Sequence, residues 1–323
     1  MINKNDAELL CTETKNCISE DRSRLVALGS DDKNEELIVG LLKKDQVVLV
    51  QGIEPHEADS LMYSIAAKFG LAESLEVQAA FASSKGHREN IGRYYMSVNK
   101  RKDYQFIPPH SEGGSFSNLQ LASFYCYENS TDGGETILMN VDQSSEIWGE
   151  LRELLTRGKA TKELTRTEIE QIKVMAHLNM PEDVLKDDDE ILKEIKVSPY
   201  FTIFDVLAKP RKTYSRLLDN EVFVYWDTIE SVDYDSVTAY SQLLEQDGLL
   251  KLPPDNCDVK ILDDSNERRV RHFGSDYEKL FKCKITRKLQ PGEFIIQNNL
   301  TWAHSVSNWT PGSGFRKVAA AFA

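Results

Sequence analysis

Residues 107–114 have the sequence IPPHSEGG, and an apolar, aromatic stretch from Leu119 to Tyr127 follows shortly after them. The two prolines favour an extended backbone ahead of His110, because a residue that precedes proline avoids the helical region. Glycine at positions 113 and 114 lets the backbone approach a ligand closely. In an extended segment residues i and i+2 point to the same side, so His110 and Glu112 can offer two ligands to one metal ion.

Short strand signals surround this segment and continue to the end of the chain. The predicted strands are Gln46–Val50, Leu119–Tyr127, Thr136–Asn140, Phe201–Leu207, Val222–Trp226, Phe294–Gln297 and Arg316–Phe322. Helices are predicted within 31–44 and 55–70, where the apolar residues fall on one face, and a charged stretch from about 146 to 196 is also predicted to be helical.

This pattern predicts a mixed α/β chain with an all-β core, a double-stranded β-helix or jelly roll, flanked by helices. We expect a single domain over residues 1–323, with a helical and β front at 1–100 and the jelly-roll core at 101–323. A helical insert at about 145–200 is predicted to cover the mouth of the site as a lid.

Bulk properties exclude several classes of function. The net charge of −13 disfavours nucleic acid and anionic membranes as partners, because both bind basic patches. No apolar run reaches the roughly 18 residues of a membrane span, and the polar N-terminus lacks the apolar run of a signal peptide, so a cytoplasmic location is expected. The five cysteines are widely spaced and form no CxxC pair, which predicts free thiols.

The H-x-[DE] pattern alone is a weak signal. Six histidines and an acidic fraction of 52/323 predict about one such pair by chance, and two occur, His87-Arg88-Glu89 and His110-Ser111-Glu112. The first lies in a polar stretch typical of an exposed loop, where a histidine is usually solvated. The second lies between prolines and glycines, ahead of a long apolar strand, and is therefore predicted to be the metal pair.

A third ligand and a cation are predicted near the C-terminus. Residues 290–304 read QPGEFIIQNNLTWAH and end at His304, and Arg316 begins the last strand twelve residues later. Two imidazoles and one carboxylate on one face of an Fe(II) ion leave the opposite face open for a cosubstrate and O2. The planar guanidinium of an arginine near such an ion suits a carboxylate better than the ammonium of lysine does.

Taken in order, these motifs resemble those of the TauD/TfdA superfamily of Fe(II)/2-oxoglutarate-dependent oxygenases. The similarity is greatest to the clavaminate-synthase-like subgroup, in which the acidic ligand is Glu. The matching pieces are Pro109–Glu112, Gly133–Thr136, Pro291–Glu293, Asn298-Asn299 with His304, and Arg316, spread over about residues 107–317. Each motif is modest alone, whereas the ordered set is specific.

The resemblance implies that His110, Glu112 and His304 bind iron, and that Arg316 and the Thr136 hydroxyl hold the distal carboxylate of 2-oxoglutarate. It implies an enzyme that hydroxylates an unactivated C–H bond of a small molecule, with decarboxylation of 2-oxoglutarate to succinate and CO2. Related halogenases have Ala or Gly at the position of Glu112, so the resemblance argues against halogenation. A free amino acid and a natural-product intermediate are both open as substrates.

Other interpretations remain open at this point. A desaturase or cyclase uses the same cofactors, and a non-catalytic jelly-roll binding protein or a zinc hydrolase with two His and one Glu would have the same side chains. A carrier-bound substrate is possible but disfavoured by the acidic surface, and the oligomeric state is not predicted. Arg268, Arg269, Arg271 and His272 form a solvated face or a lid, and Tyr94, Tyr95, Tyr104 and Phe106 form core or pocket wall.

Overall fold

The computed structural model describes residues 18–85, 88–98, 103–114, 117–176, 178–226, 229–230, 236–254 and 277–323. Its helices are α1 Glu35–Leu42, α2 Pro55–Lys68, α3 Ala72–Lys85, α4 Arg166–Ala176, α5 Ser236–Gln246 and the short α6 Tyr277–Leu280. Its strands are β1 Leu25–Leu28, β2 Val47–Val50, β3 Met96–Ser97, β4 Ile107–His110, β5 Leu121–Asn129, β6 Thr136–Val141, β7 Arg152–Ala160, β8 Glu190–Ser198, β9 Phe201–Ala208, β10 Thr213–Ser215, β11 Asn220–Val222, β12 Ile229–Glu230, β13 Phe281–Arg287, β14 Phe294–Asn298, β15 Trp302–Val306 and β16 Arg316–Phe322.

Two sheets enclose the central hydrophobic core. One has six strands in the order β1-β2-β14-β5-β16-β3, and the other has four in the order β13-β6-β15-β4. A single cluster of buried side chains joins them, with Phe124, Val318 and Phe322 from the first sheet and Leu138 and Trp302 from the second. Side chains from the facing sides of the two sheets therefore share one core, which is the packing of a β-sandwich.

The outer faces of both sheets are covered as well. Helices α1, α2 and α3 pack on the six-stranded sheet through a cluster that includes Ile38, Met62 and Leu75. On the four-stranded sheet, Tyr240 of α5 and Trp226 pack over the outward side chains of β6. The structure confirms that the chain is mixed α/β and consists mostly of sheet, with helices on its outside. The jelly-roll connectivity and the domain limits stay predictions.

The front helices begin where the sequence places them. The side chain of Asn34 caps α1 by accepting from the backbone N–H of Glu36 at 2.9 Å. Helix α2 begins at Pro55, and Glu54 and Glu57 form a reciprocal capping box at its first turn. Both ends agree with the rule that polar side chains satisfy the first backbone N–H groups of a helix. The last predicted strand, Arg316–Phe322, is also confirmed in both bounds.

The predicted helical insert at about 145–200 is wrong for most of its length. Among the residues described in this range, only α4 forms an α-helix, and it is begun by the expected capping box of Thr165 and Glu168. The long strands β7 and β8 join β9 and β12 in a separate four-stranded sheet. Strand β8 lies at an edge of this sheet, and all nine of its residues are exposed. Charged side chains are typical of such edges, so the charge that suggested a solvated helix belongs to a strand.

Two smaller expectations concern thiols and membranes. Cys126 and Cys283 are free and buried, as predicted, and the other three cysteines lie outside the described residues. Among the helices that the structure describes, none has the length and apolarity needed to cross a membrane. The cytoplasmic location stays a prediction.

Candidate metal centre

The two histidines of the candidate site meet across a pair of antiparallel strands. In the register of β4 and β15, His110 lies directly opposite His304, and the two ring centroids are 4.4 Å apart. Strand β4 is the edge strand of its sheet. The nitrogens of Pro108 and Pro109 face opposite sides of the strand, so one lies on the free edge, which needs no donor, and the register shift between His304 and Val306 accommodates the other. The two prolines therefore suit both the extended backbone ahead of His110 and the edge position of β4.

Glu112 completes a cluster of three possible ligands. Its Oε2 atom lies 3.8 Å from Nε2 of His110 and 3.9 Å from Nε2 of His304. One ligand atom from each residue can be chosen so that all three lie within 4.8 Å of one another. Bonds from a first-row ion such as zinc to imidazole or carboxylate are about 2.0–2.2 Å, so two of its ligands lie at most about 4.4 Å apart. Both measured carboxylate–imidazole separations satisfy this limit.

A backbone carbonyl prepares His110 for a metal. The Nδ1 atom lies 2.9 Å from the carbonyl oxygen of Pro108, which can only accept a hydrogen bond. Nδ1 must therefore carry the proton, which leaves the lone pair of a neutral ring on Nε2, the nitrogen that faces Glu112. The donor set of two imidazoles and one carboxylate, with this tautomer, fits a divalent iron ion.

Aromatic side chains enclose the histidines on the side of the six-stranded sheet. The ring of Phe124 is 5.0 Å from that of His304 in an edge-on arrangement, and the ring of Phe322 is 5.9 Å from it. His110 and His304 retain only 8% and 7% of their exposure. The imidazoles are thus held by packing, which limits the orientations that they can adopt.

Sequence reasoning assigned no role to Asn299, although it quoted the Asn298-Asn299 motif. The Asn299 side chain accepts from the backbone N–H of Glu112 at 3.0 Å and donates to the Glu112 carbonyl at 3.0 Å. It also donates to the carbonyl of Leu119 at 2.7 Å. A buried amide that satisfies both backbone groups of one residue holds that residue in place, so Asn299 fixes the backbone from which the Glu112 side chain extends.

We expect Asn299→Ala to lower the free energy of unfolding by about 2–4 kcal/mol, because it leaves several buried backbone groups without a partner. It should also weaken Co(II) binding by roughly 10–100-fold, the usual cost of losing a group that orients a ligand. Denaturant unfolding and metal titration measure the two effects.

Asn298→Ala is the matched control. Asn298 is also fully buried, but its side chain accepts from the backbone N–H of Leu300 at 3.0 Å and donates to Ser215 Oγ at 3.4 Å. This variant should lose stability while keeping the metal dissociation constant of the native chain. Equal losses of metal affinity in both variants would contradict the role of Asn299.

Arg316 and Thr136 lie farther along the same interior. Thr136 is two residues from Leu138, the strand partner of His304, so it points to the same face about 7 Å along the strand. Next in line is Gly134, whose carbonyl accepts from Nε of Arg316 at 3.3 Å. The positive φ of 79° at Gly134 and the approach of Arg316 Cδ, which a Cβ would meet at 2.9 Å, both require glycine here.

The charge of Arg316 is preserved in this half-buried position. Removal from water lowers the pKa of its guanidinium to about 10, whereas Cys126 and Glu135 raise it. The group is therefore cationic at neutral pH. Within the described residues no carboxylate is paired with it, and its outer face stacks 5.7 Å from the Trp309 ring.

Only part of the competing pair, His87 and Glu89, belongs to the described residues. His87 lies outside the described residues, and Glu89 is exposed, with its backbone N–H donating to Ser97 Oγ at 2.9 Å. The residue between them, Arg88, instead reaches Glu112, with Nη2 3.1 Å from Oε1. Sequence reasoning did not find this contact, because nothing in the local pattern indicates it.

The four aromatic residues that were predicted to form core or pocket wall are all buried. Tyr94 and Tyr95 belong to the core beneath the helices, and Phe106 belongs to the core outside the four-stranded sheet. Tyr104 is buried too. The basic cluster of Arg268, Arg269, Arg271 and His272 lies outside the described residues.

Similarity between this chain and known proteins is found among solved structures. No protein-family profile matches the sequence, and no curated protein matches it. Solved structures do match. The PvcB protein from Pseudomonas aeruginosa has a TM-score of 0.41 at 11% identity, over 92% of this chain and 84% of that one. A second PvcB structure, described as an Fe, alpha-ketoglutarate-dependent oxygenase from an isonitrile synthetic pathway, has a TM-score of 0.41 at 10% identity, over the same shares.

AAD-2 in complex with Mn(II) and N-oxalylglycine has a TM-score of 0.41 at 10% identity, over 89% of this chain and 87% of that one. The PvcB neighbours thus include an oxygenase that uses iron and alpha-ketoglutarate, which is another name for 2-oxoglutarate, and the sequence motifs resemble the same class. The clavaminate-synthase-like subgroup stays a prediction.

Proposed function

We propose that this chain is an Fe(II)/2-oxoglutarate-dependent oxygenase that oxidises an unactivated C–H bond of a small molecule, with hydroxylation as the outcome. The observation that carries the proposal is the convergence of His110 and Glu112 from one segment with His304 from another, with their ligand atoms within 4.8 Å of one another. Arg316 gives the second support, because a half-buried cation on the same interior matches a dicarboxylate cosubstrate and has no task in a plain zinc hydrolase.

Each residue has a defined task in this proposal. His110, Glu112 and His304 hold the metal on one face and leave the other face open. Arg316 pairs with the distal carboxylate of 2-oxoglutarate, and the Thr136 hydroxyl donates to the same group. Phe124 and Phe322 keep water away from His304. When bound, iron and 2-oxoglutarate supply O2 activation and C–H oxidation, with succinate and CO2 as the products of the cosubstrate.

Glu112 bears on the outcome of the reaction. A carboxylate at this position supplies the third protein ligand, so the coordination position that a halide would need is already taken by the protein. We therefore propose oxygen transfer rather than halogenation. Desaturation and cyclisation require the same ligands and remain alternatives to hydroxylation.

Anaerobic reconstitution with Fe(II) and 2-oxoglutarate, followed by exposure to O2 with a panel of amino acids and natural-product intermediates, tests this function. We expect at least one compound to stimulate succinate formation, and mass spectrometry to show a gain of one oxygen atom in that compound. A gain of no oxygen with loss of two hydrogens would instead identify a desaturase or cyclase. Zinc that survives reconstitution with Fe(II) and ascorbate would contradict the iron assignment.

A further inference from the structure

The two oxygens of the Glu112 carboxylate face different partners. Oε2 faces the Nε2 atoms of both histidines, at 3.8 and 3.9 Å, whereas Oε1 lies 3.1 Å from Nη2 of Arg88. The side chains of Arg88 and Glu112 are only 16% and 18% exposed. Solvent screening is therefore weaker than for an exposed pair, and this contact differs from the surface salt bridges that contribute little.

Arg88 is itself held by the end of the six-stranded sheet. Its Nη1 lies 3.5 Å from Met96 Sδ on β3, and its guanidinium carbon lies 5.8 Å from the ring centroid of Phe322 on β16. The same Phe322 ring lies 5.9 Å from that of His304. A guanidinium over an aromatic face gains a cation–π attraction, so the orientation of Arg88 is set by more than its carboxylate partner.

A glutamate ligand needs such a restraint more than an aspartate does. Its arm has one more rotatable bond, and fixing each side chain of this kind costs conformational entropy. An unrestrained carboxylate can also turn to present both oxygens to a metal, which would occupy an additional position on the ion. A donor on Oε1 opposes both tendencies, because it keeps Oε2 as the oxygen directed at the histidines.

We propose that Arg88 is a positioning residue that holds Glu112 as a one-oxygen ligand, and so keeps the opposite face of the metal open for the cosubstrate. The inference rests on the proposed metal centre, but it does not depend on which substrate is oxidised. Arg88 touches the ligand rather than the reacting atoms, and it acts through Glu112.

Co(II) titration, followed by its ligand-field absorption, tests this role without turnover. We expect Arg88→Gln to weaken Co(II) binding roughly tenfold, the lower end of the usual cost of losing a ligand-orienting group. The absorption spectrum should also change, as a second carboxylate oxygen joins the ion. Arg88→Lys should recover part of the affinity, because an ammonium can still donate to Oε1 but lacks the planar guanidinium.

Arg93→Gln is the control within the same segment. Arg93 pairs with Glu76 of α3 at 2.9 Å with its side chain 71% exposed, and its backbone N–H donates to Asp59 of α2. This variant should bind Co(II) as the native chain does. Thermal unfolding of all variants shows whether a loss of metal binding merely follows a loss of stability.

A double-mutant cycle with Glu112→Asp shows whether Arg88 acts through Glu112. The shorter arm has less freedom to restrain, so Arg88→Gln should cost less than about threefold in that background, whereas independent effects would add. Equal costs in both backgrounds would overturn the inference. If Arg88→Gln kept the native Co(II) affinity and spectrum while His304→Ala lost Co(II) binding, the role of Arg88 would be overturned and the metal centre would stand. A native chain that binds no Co(II) would overturn both.

Discussion

His304→Ala is expected to abolish divalent-metal binding, and with it any release of CO2 from 2-oxoglutarate. His304 is 7% exposed, and its Nε2, 3.9 Å from Glu112 Oε2, is one of the three candidate ligand atoms, which alanine cannot replace. Loss of a group that merely orients a ligand costs about 10–100-fold in affinity, and loss of the ligand itself should exceed about 100-fold. His110→Ala should have the same effect, because its Nε2 faces the same carboxylate.

Co(II) titration and succinate formation measure this result. His56→Ala is the control, since His56 is an exposed residue of α2, remote in sequence from all three proposed ligands. His87→Ala tests the alternative pair directly. Turnover that survives His110→Ala but is lost in His87→Ala would show that the wrong H-x-[DE] pair had been chosen.

Arg316→Ala is expected to raise the dissociation constant for 2-oxoglutarate by roughly 30–5000-fold while leaving metal affinity unchanged. Removing one partner of a desolvated charge pair costs about 2–5 kcal/mol. In Arg316→Ala, the distal carboxylate of bound 2-oxoglutarate would lose its cationic partner. Arg316→Lys should restore only part of the affinity, because lysine keeps the charge and loses the two-point geometry. Binding of 2-oxoglutarate to the Co(II)-loaded protein, measured by calorimetry, separates this effect from metal binding.

Lys317→Ala is the matched control for Arg316. Lys317 is the next residue of β16, but it is exposed, and its ammonium lies 4.8 Å from the ring of Tyr127. The Lys317→Ala substitution removes one positive charge at nearly the same place in the chain, so a general electrostatic effect would appear in both variants. An unchanged 2-oxoglutarate requirement in Arg316→Ala would remove Arg316 from the proposed site.

Much of the fold follows from local patterns in the sequence. Polar caps and one-sided apolar residues mark α1 and α2, and apolar stretches mark β2, β5, β6, β14 and β16. These elements could be predicted because their periodicity reflects which side faces a core. The insert could not, because β8 lies at a sheet edge with every residue exposed. An exposed strand and an exposed helix both carry charge, and only pairing with β9 distinguishes them.

The sequence by itself determined which residue types could bind a metal, their order, and the arrangement of His110 and Glu112 on one side of an extended segment. Local geometry sufficed there, since residues two apart share a face. Only the tertiary structure decided that His304 lies opposite His110, that Asn299 holds the backbone of Glu112, and that Arg88 reaches its carboxylate. These contacts join segments far apart in the chain, so they depend on strand register and on core packing rather than on neighbouring residues.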